Sequence, residues 1–178
     1  MSVGDPAVLV MAPPDSPEPV AGLAAALEAE ADRWANEVAP GRVHHADGSP
    51  ADATARVLAR HDGPLLVVWP VLARLRPEHA AGALGDLHDG VQLVIGPVID
   101  GGLYLLGLGR PLSELMDLPG EAWSGADAMS SALAAAAEAG QEVGILRGER
   151  ALRSEADVRA ALADPMTPDG VRALLGGG

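Results

Sequence analysis

Short runs of Val, Leu and Ile alternate along this chain with longer stretches rich in Ala, Leu and Glu. The short runs, at 7–11, 42–45, 64–69, 91–95, 103–108 and 142–146, have the length of strands. The longer ones, at 20–38, 51–61, 77–87, 125–139 and 154–163, carry apolar residues at helical spacing. A last short helix is predicted over 168–175. Such alternation reads as an α/β sheet with helices on both faces. The runs 64–69 and 91–95 are apolar on both sides, as strands buried in a parallel sheet are. The fold expected is a three-layer α/β sandwich with a mostly parallel sheet.

The 178 residues read as a single domain, 1–178, with a flexible tail over 175–178. No repeat or linker divides them. Helix starts are marked by Pro77 at a first helical position, by Ser154 with Asp157 in capping-box spacing, and by Thr167 before Pro168. The Pro-rich segment 13–19 reads as a loop after the first strand.

Composition excludes several chemistries. There is no Cys, hence no disulfide, thiolate zinc site or Cys nucleophile. There is no Lys, hence no Walker A lysine and no Schiff base; all 12 basic residues are Arg. A formal charge of −13 with 2% aromatics argues against nucleic acid and against anionic membranes. No apolar run is long enough to span a bilayer. No Arg precedes Arg33, the wrong charge for a signal peptide, so a cytoplasmic location is expected.

Ligands of open α/β sheets bind at the carboxyl ends of the strands. The most distinctive loop there is Gly96-Pro97-Val98-Ile99-Asp100-Gly101-Gly102-Leu103-Tyr104-Leu105-Leu106-Gly107-Leu108. Paired glycines allow positive φ and close approach to a ligand, and Asp100 offers a carboxylate. The plain alternative, a tight Asp-Gly-Gly turn between strands, is favoured by physics alone. Asp100, Gly101, Gly102 and Tyr104, with Trp123 beside the loop or in the core, are the candidate substrate-binding residues.

This stretch resembles the G-P-x-x-D-G-G-Y-Y-L-[IL]-G-L signature of a bacterial glycosyltransferase-like family, the radical-SAM/selenodomain-associated transferase type. That family is related to the 2-phospholactate guanylyltransferases and has the nucleotide-diphospho-sugar transferase fold. Leu75-Arg76-Pro77-Glu78-His79, Trp123-Ser124, Gly144-Ile145-Leu146 and Ser154-Glu155-Ala156-Asp157-Val158 extend the likeness, most strongly over 64–160. The chain departs from the family in three places. Pro13-Pro14-Asp15-Ser16-Pro17-Glu18-Pro19 lacks the bases of the family's P-G-x-x-K-T-R-L loop. Val71 stands where G-S-D-x-P-x-L carries a metal Asp. Arg153 stands where D-V-D-T carries a second carboxylate.

Phosphoryl and nucleotidyl transfer rest on positioning and on charge neutralisation by metal and cations. The resemblance with these losses implies a transferase-like protein without ordinary metal-dependent catalysis. No catalytic residue, metal site or cofactor is therefore assigned. The expected role is ligand or partner binding, to a nucleotide or small anion or in a homo-oligomer. Two alternatives stay open: an active nucleotidyl- or sugar-transferase with a rearranged site, using Mg²⁺ or Mn²⁺, and a structural subunit of a complex. Arg74, Arg76, Arg150 and Arg153, joined by Arg147, could form an anion site, or could be solvated residues balancing an acidic surface. A rearranged site would need carboxylates to converge on Asp100, with Asp47, Asp86 and Asp89 as candidates. His44 and His45, adjacent on a strand, face opposite sides. Ser124 is expected to cap the following helix, and Trp69 to wall the emptied metal site.

Overall fold

The computed structural model describes residues 4–13 and 18–177. Six strands form one sheet: β1 (Ala7–Met11), β2 (Val43–Ala46), β3 (Leu65–Val68), β4 (Leu93–Pro97), β5 (Leu103–Leu108) and β6 (Val143–Ile145), in the order β2-β1-β3-β5-β4-β6. β1 pairs in parallel with β2 and β3, and β4 with β6. β5 alone is reversed, antiparallel to both β3 and β4. The sheet is thus mostly parallel, as expected. Every residue of β1, β3 and β5 is buried, because helices cover both faces.

On one face α1 (Leu23–Val38) packs beside α3 (Pro77–His88), tied by Trp34 Nε1 donating to the Arg76 carbonyl at 2.9 Å. The other face carries α2 (Pro50–Leu58), α4 (Ser113–Met116), α5 (Glu121–Ser124) and α6 (Ala128–Glu138). The two single-turn helices α4 and α5 were not expected; four residues are too few to show a helical period. α7 (Glu155–Ala163) and α8 (Asp169–Gly176) pack on α1 through a separate cluster of Leu23, Leu27, Leu152, Ala161, Val171 and Leu175. That cluster seats the C-terminal helices as one wall of a cleft at the sheet edge.

The caps follow the sequence in part. Ser154 and Asp157 form the capping box, and Pro77 lies in the first turn of α3. Thr167 does not cap α8; its hydroxyl donates to the Ala161 carbonyl at 2.7 Å and pins α7 to α8 instead. Ser124 ends α5 and does not cap α6, whose N-cap is Asp127. The expected tail at 175–178 begins too early, since α8 runs to Gly176; Gly178 lies outside the described residues, as do 14–17 of the Pro-rich loop. Among the described residues no helix is long and apolar enough to cross a membrane.

Candidate functional site

Five strands end at one edge of the sheet, and the reversed β5 begins there. The segments after β1, β2, β3 and β6 and the β4–β5 turn all lie along this edge. The turn is closed by Gly101 N–H to Val98 O at 3.1 Å and Val98 N–H to Gly102 O at 3.0 Å. Gly101 and Gly102 have φ of 96° and 87°, which L side chains rarely adopt. A Cβ on Gly102 would lie 2.9 Å from Arg153 Nη2 and 3.2 Å from the Ser124 carbonyl. The two glycines therefore serve the turn and its packing. Asp100 is exposed at the tip.

Among the described residues no carboxylates converge on Asp100. Asp86 and Asp89 lie at the C-terminal end of α3, which returns the chain to the opposite edge. Asp47 follows β2, and β1 and β3 separate that strand from the β4–β5 pair. Among the described residues no three His, Asp or Glu side chains gather as metal ligands.

Tyr104 and Trp123 lie in the core, 0% and 2% exposed, and give a ligand no surface. The Tyr104 hydroxyl donates to the Arg147 carbonyl at 3.1 Å. Burial pushes the phenol far above its ordinary pKa, so it stays protonated. Its ring crosses Gly96, where a Cβ would sit 2.7 Å from Tyr104 Cζ. This contact explains why Gly96 and Tyr104 belong to one motif. The Trp123 Nε1 is buried with no hydrogen-bond partner among the described residues.

Four of the five arginines meet. Arg74, Arg76, Arg147 and Arg150 line a cleft of about 620 Å³ between the segment after β3, the segment after β6 and α7. Arg153 points elsewhere, donating to the Gly101 carbonyl at 2.9 Å and bracing the turn. The cleft also holds Glu78, Glu149, Asp157 and Asp164, so its formal charges balance. Arg76 is ion-paired with Glu149, and Arg150 with Asp157 at 3.0 Å. Burial acts to raise Asp157, but hydrogen bonds from Ser154, Arg150 and the Arg153 and Ser154 amides hold it below its usual range.

His79 and Glu149 were not singled out from the sequence, yet they organise this wall. His79 is 5% exposed. Its Nδ1 accepts from the Arg76 amide at 3.2 Å, which leaves the proton on Nε2, 3.3 Å from Glu149 Oε1. Burial lowers the His79 pKa, Glu149 partly offsets this, and Arg76 adds to it. The ring is therefore neutral near pH 7 and rests 5.0 Å from that of Tyr104. The only signal in sequence was His79 in the first turn after Pro77; its partner lies 70 residues away.

A second cleft at this edge, about 420 Å³, lies at the ends of β1 and β3. Trp69 walls it, and among the described residues Glu121 is the only charged one that lines it. Beside it, Val71 is buried, and its carbonyl accepts from the Leu152 amide at 2.9 Å. The segments carrying Val71 and Arg153 thus meet in space, but they bring a hydrocarbon and a cation. Mg²⁺ takes oxygen ligands, and these residues do not fit one.

A mostly parallel six-stranded sheet with one reversed strand, helices on both faces and clefts along the carboxyl edge defines a nucleotide-diphospho-sugar transferase-like fold. The chain is similar to the crystal structure of a putative nucleotide-diphospho-sugar transferase from Desulfovibrio desulfuricans G20, with a TM-score of 0.68. Identity is 17%, over 98% of this chain and 95% of that one. No family model matches the chain, and no curated protein matches it by sequence.

Proposed function

We propose that this chain uses the transferase-like fold for binding and not for metal-dependent group transfer. The observation that carries this reading is the meeting of the segments that carry Val71 and Arg153. They are joined by the Leu152–Val71 backbone bond, the closeness that a pair of metal carboxylates would need. A Val and an Arg there offer no oxygen ligand to the divalent metal that stabilises transfer. The neighbouring cleft, walled by Trp69 and with a single carboxylate among the described residues, supports the same conclusion. The larger cleft, whose four arginines and four carboxylates balance, offers a ligand or partner a surface of mixed charge.

Calorimetric titration with GTP, CTP and UDP-glucose, each with and without Mg²⁺ or Mn²⁺, tests this. The expected result is no metal-dependent affinity for any of the three. Metal-dependent micromolar binding of one of them overturns the proposal and makes the chain a working transferase with other ligands to its metal.

A further inference from the structure

A third concave region lies away from the carboxyl edge, between the outermost strand β2 and helix α2. It encloses about 440 Å³, within the size range of small-molecule sites. Six of its eleven lining residues are Arg or His and none is Asp or Glu. In a chain with formal charge −13 and 25 carboxylates, such a composition stands out.

The geometry follows from two periodicities. Ala53, Arg56, Val57 and Arg60 fall at i, i+3, i+4 and i+7, one face of α2 and the turn that extends it. His44 alternates with His45 along β2. His45 turns to α1, its Nε2 2.7 Å from Asp32 Oδ1. His44 lies on the α2 side with Leu9, its partner across the ladder. The floor is apolar, made by Leu9, Val57 and Ala53.

The cations here are largely unanswered. Arg56 and Arg60 form no ion pair among the described residues. Arg42 reaches one carboxylate, that of the exposed Asp5, at 3.3 Å. Asp62, next to His61, is exposed and does not line the groove. His44 is lowered by partial burial and then by the neighbouring His61 and His45, of which only His45 meets an acid, Asp32 on the α1 side. The Nε2 of His61 is buried over Gly63 without a hydrogen-bond partner. Packing places that ring, and no polar contact among the described residues satisfies it.

We propose that this groove binds a small anion through a phosphate group. Guanidinium groups one helical turn apart match a tetrahedral oxyanion with two N–H donors each. The three arginines carry more charge than one carboxylate would neutralise, which favours a phosphate or diphosphate. The apolar floor limits water and strengthens the contacts. The site does not depend on the metal-free reading of the carboxyl edge, from which β2 and α2 hold it apart.

The test is calorimetric and NMR titration of the whole chain with inorganic pyrophosphate, inorganic phosphate and citrate. The expected result is saturable 1:1 binding, tighter for pyrophosphate than for citrate. The largest amide shifts should fall in 41–46 and 53–61. Affinity should drop tenfold or more in Arg56→Gln with Arg60→Gln, and stay unchanged in Arg159→Gln, an exposed residue that lines none of the three clefts. Both helix arginines are exposed, and a thermal melt checks that the double variant folds. No saturable binding, equal affinity in the double variant, or citrate binding tighter than pyrophosphate would each overturn the proposal. A nucleotide bound at this groove would lose affinity in the double variant without needing metal, which separates it from a working transferase site.

Discussion

At the carboxyl edge Arg76 and Arg150 are each held by a carboxylate, whereas Arg56 and Arg60 beside β2 face none. Both regions gather arginines, and sequence position ranks the first far above the second. The acids reverse that order. Glu149 and Asp157 make the edge cleft a braced wall, with Arg150 tied to the start of α7 and Arg76 to His79. The β2–α2 groove keeps its positive charge for a ligand. A count of basic residues therefore says little until their partners are known.

The largest effect that would sharpen this contrast is the loss of Asp157. It accepts from Arg150 at 3.0 Å, from the Ser154 hydroxyl at 2.7 Å and from the Ser154 amide at 2.9 Å, and it completes the capping box. Asp157→Ala should cost about 2–3 kcal/mol, a cap plus unsatisfied donors, measured by urea unfolding. Arg150→Gln should cost less than about 1 kcal/mol, because Arg150 is half exposed. Equal costs would mean that the pair, and not the carboxylate's place in the cap, holds this wall.

Glu149→Gln probes the balance itself. It leaves Arg76 without its anion and His79 with a weaker acceptor, at about 1–2 kcal/mol of stability. It also gives the edge cleft a net positive charge. Pyrophosphate should then bind at two sites instead of one, read as the stoichiometry of the calorimetric titration. An unchanged single site would show that charge balance is not what keeps anions out of the edge cleft.

Imidazoles in both regions make stability depend on pH in the same direction. His79 is buried and its pKa lies below its ordinary 6.5, so below that pH the unfolded chain binds the extra proton. Stability is full above about pH 6.5 and falls as pH drops toward the folded pKa. His44 contributes in the same direction. Asp157, also lowered, adds a further loss only below its ordinary 3.8. Urea midpoints should fall between pH 7 and pH 5, and pyrophosphate should reduce the fall by favouring charged imidazoles in the groove. A flat profile would mean that His79 meets Glu149 as a cation.

The strands were legible because burial on both faces leaves a plain apolar run, as in Leu65–Val68 and Leu103–Leu108. The direction of β5 was not, since a run of Leu and Gly reads alike both ways; the tight turn from Val98 to Gly102 reverses it. The glycines of that turn were read correctly as positive-φ positions. Tyr104, just inside the strand after the turn, and Trp123, beside the loop or in the core, were the aromatic candidates for contact with a ligand. The fold buries them because so few large side chains are present to fill its core. The link between His79 and Glu149 was out of reach, for it spans 70 residues and rests on how α3 meets the segment after β6. The β2–α2 groove was only half visible. Adjacent His44 and His45 were seen to face opposite sides, but Arg56 and Arg60 come from an element whose facing strand the sequence does not announce.

The smallest effect is the most direct check on that groove. An uncompensated cation cluster costs the free protein some repulsion, screened to a few tenths of a kcal/mol by salt and by solvent exposure. Arg56→Gln should therefore leave stability within about 0.5 kcal/mol, tending to raise it at low salt, and the gain should vanish at high salt. Arg76→Gln at the carboxyl edge should do the opposite, lowering stability because Glu149 loses its partner. Thermal melts of the two variants at low and high salt read both signs. If Arg56→Gln destabilises the chain as Arg76→Gln does, Arg56 has a structural partner after all, and the groove is braced like the edge cleft instead of open to an anion.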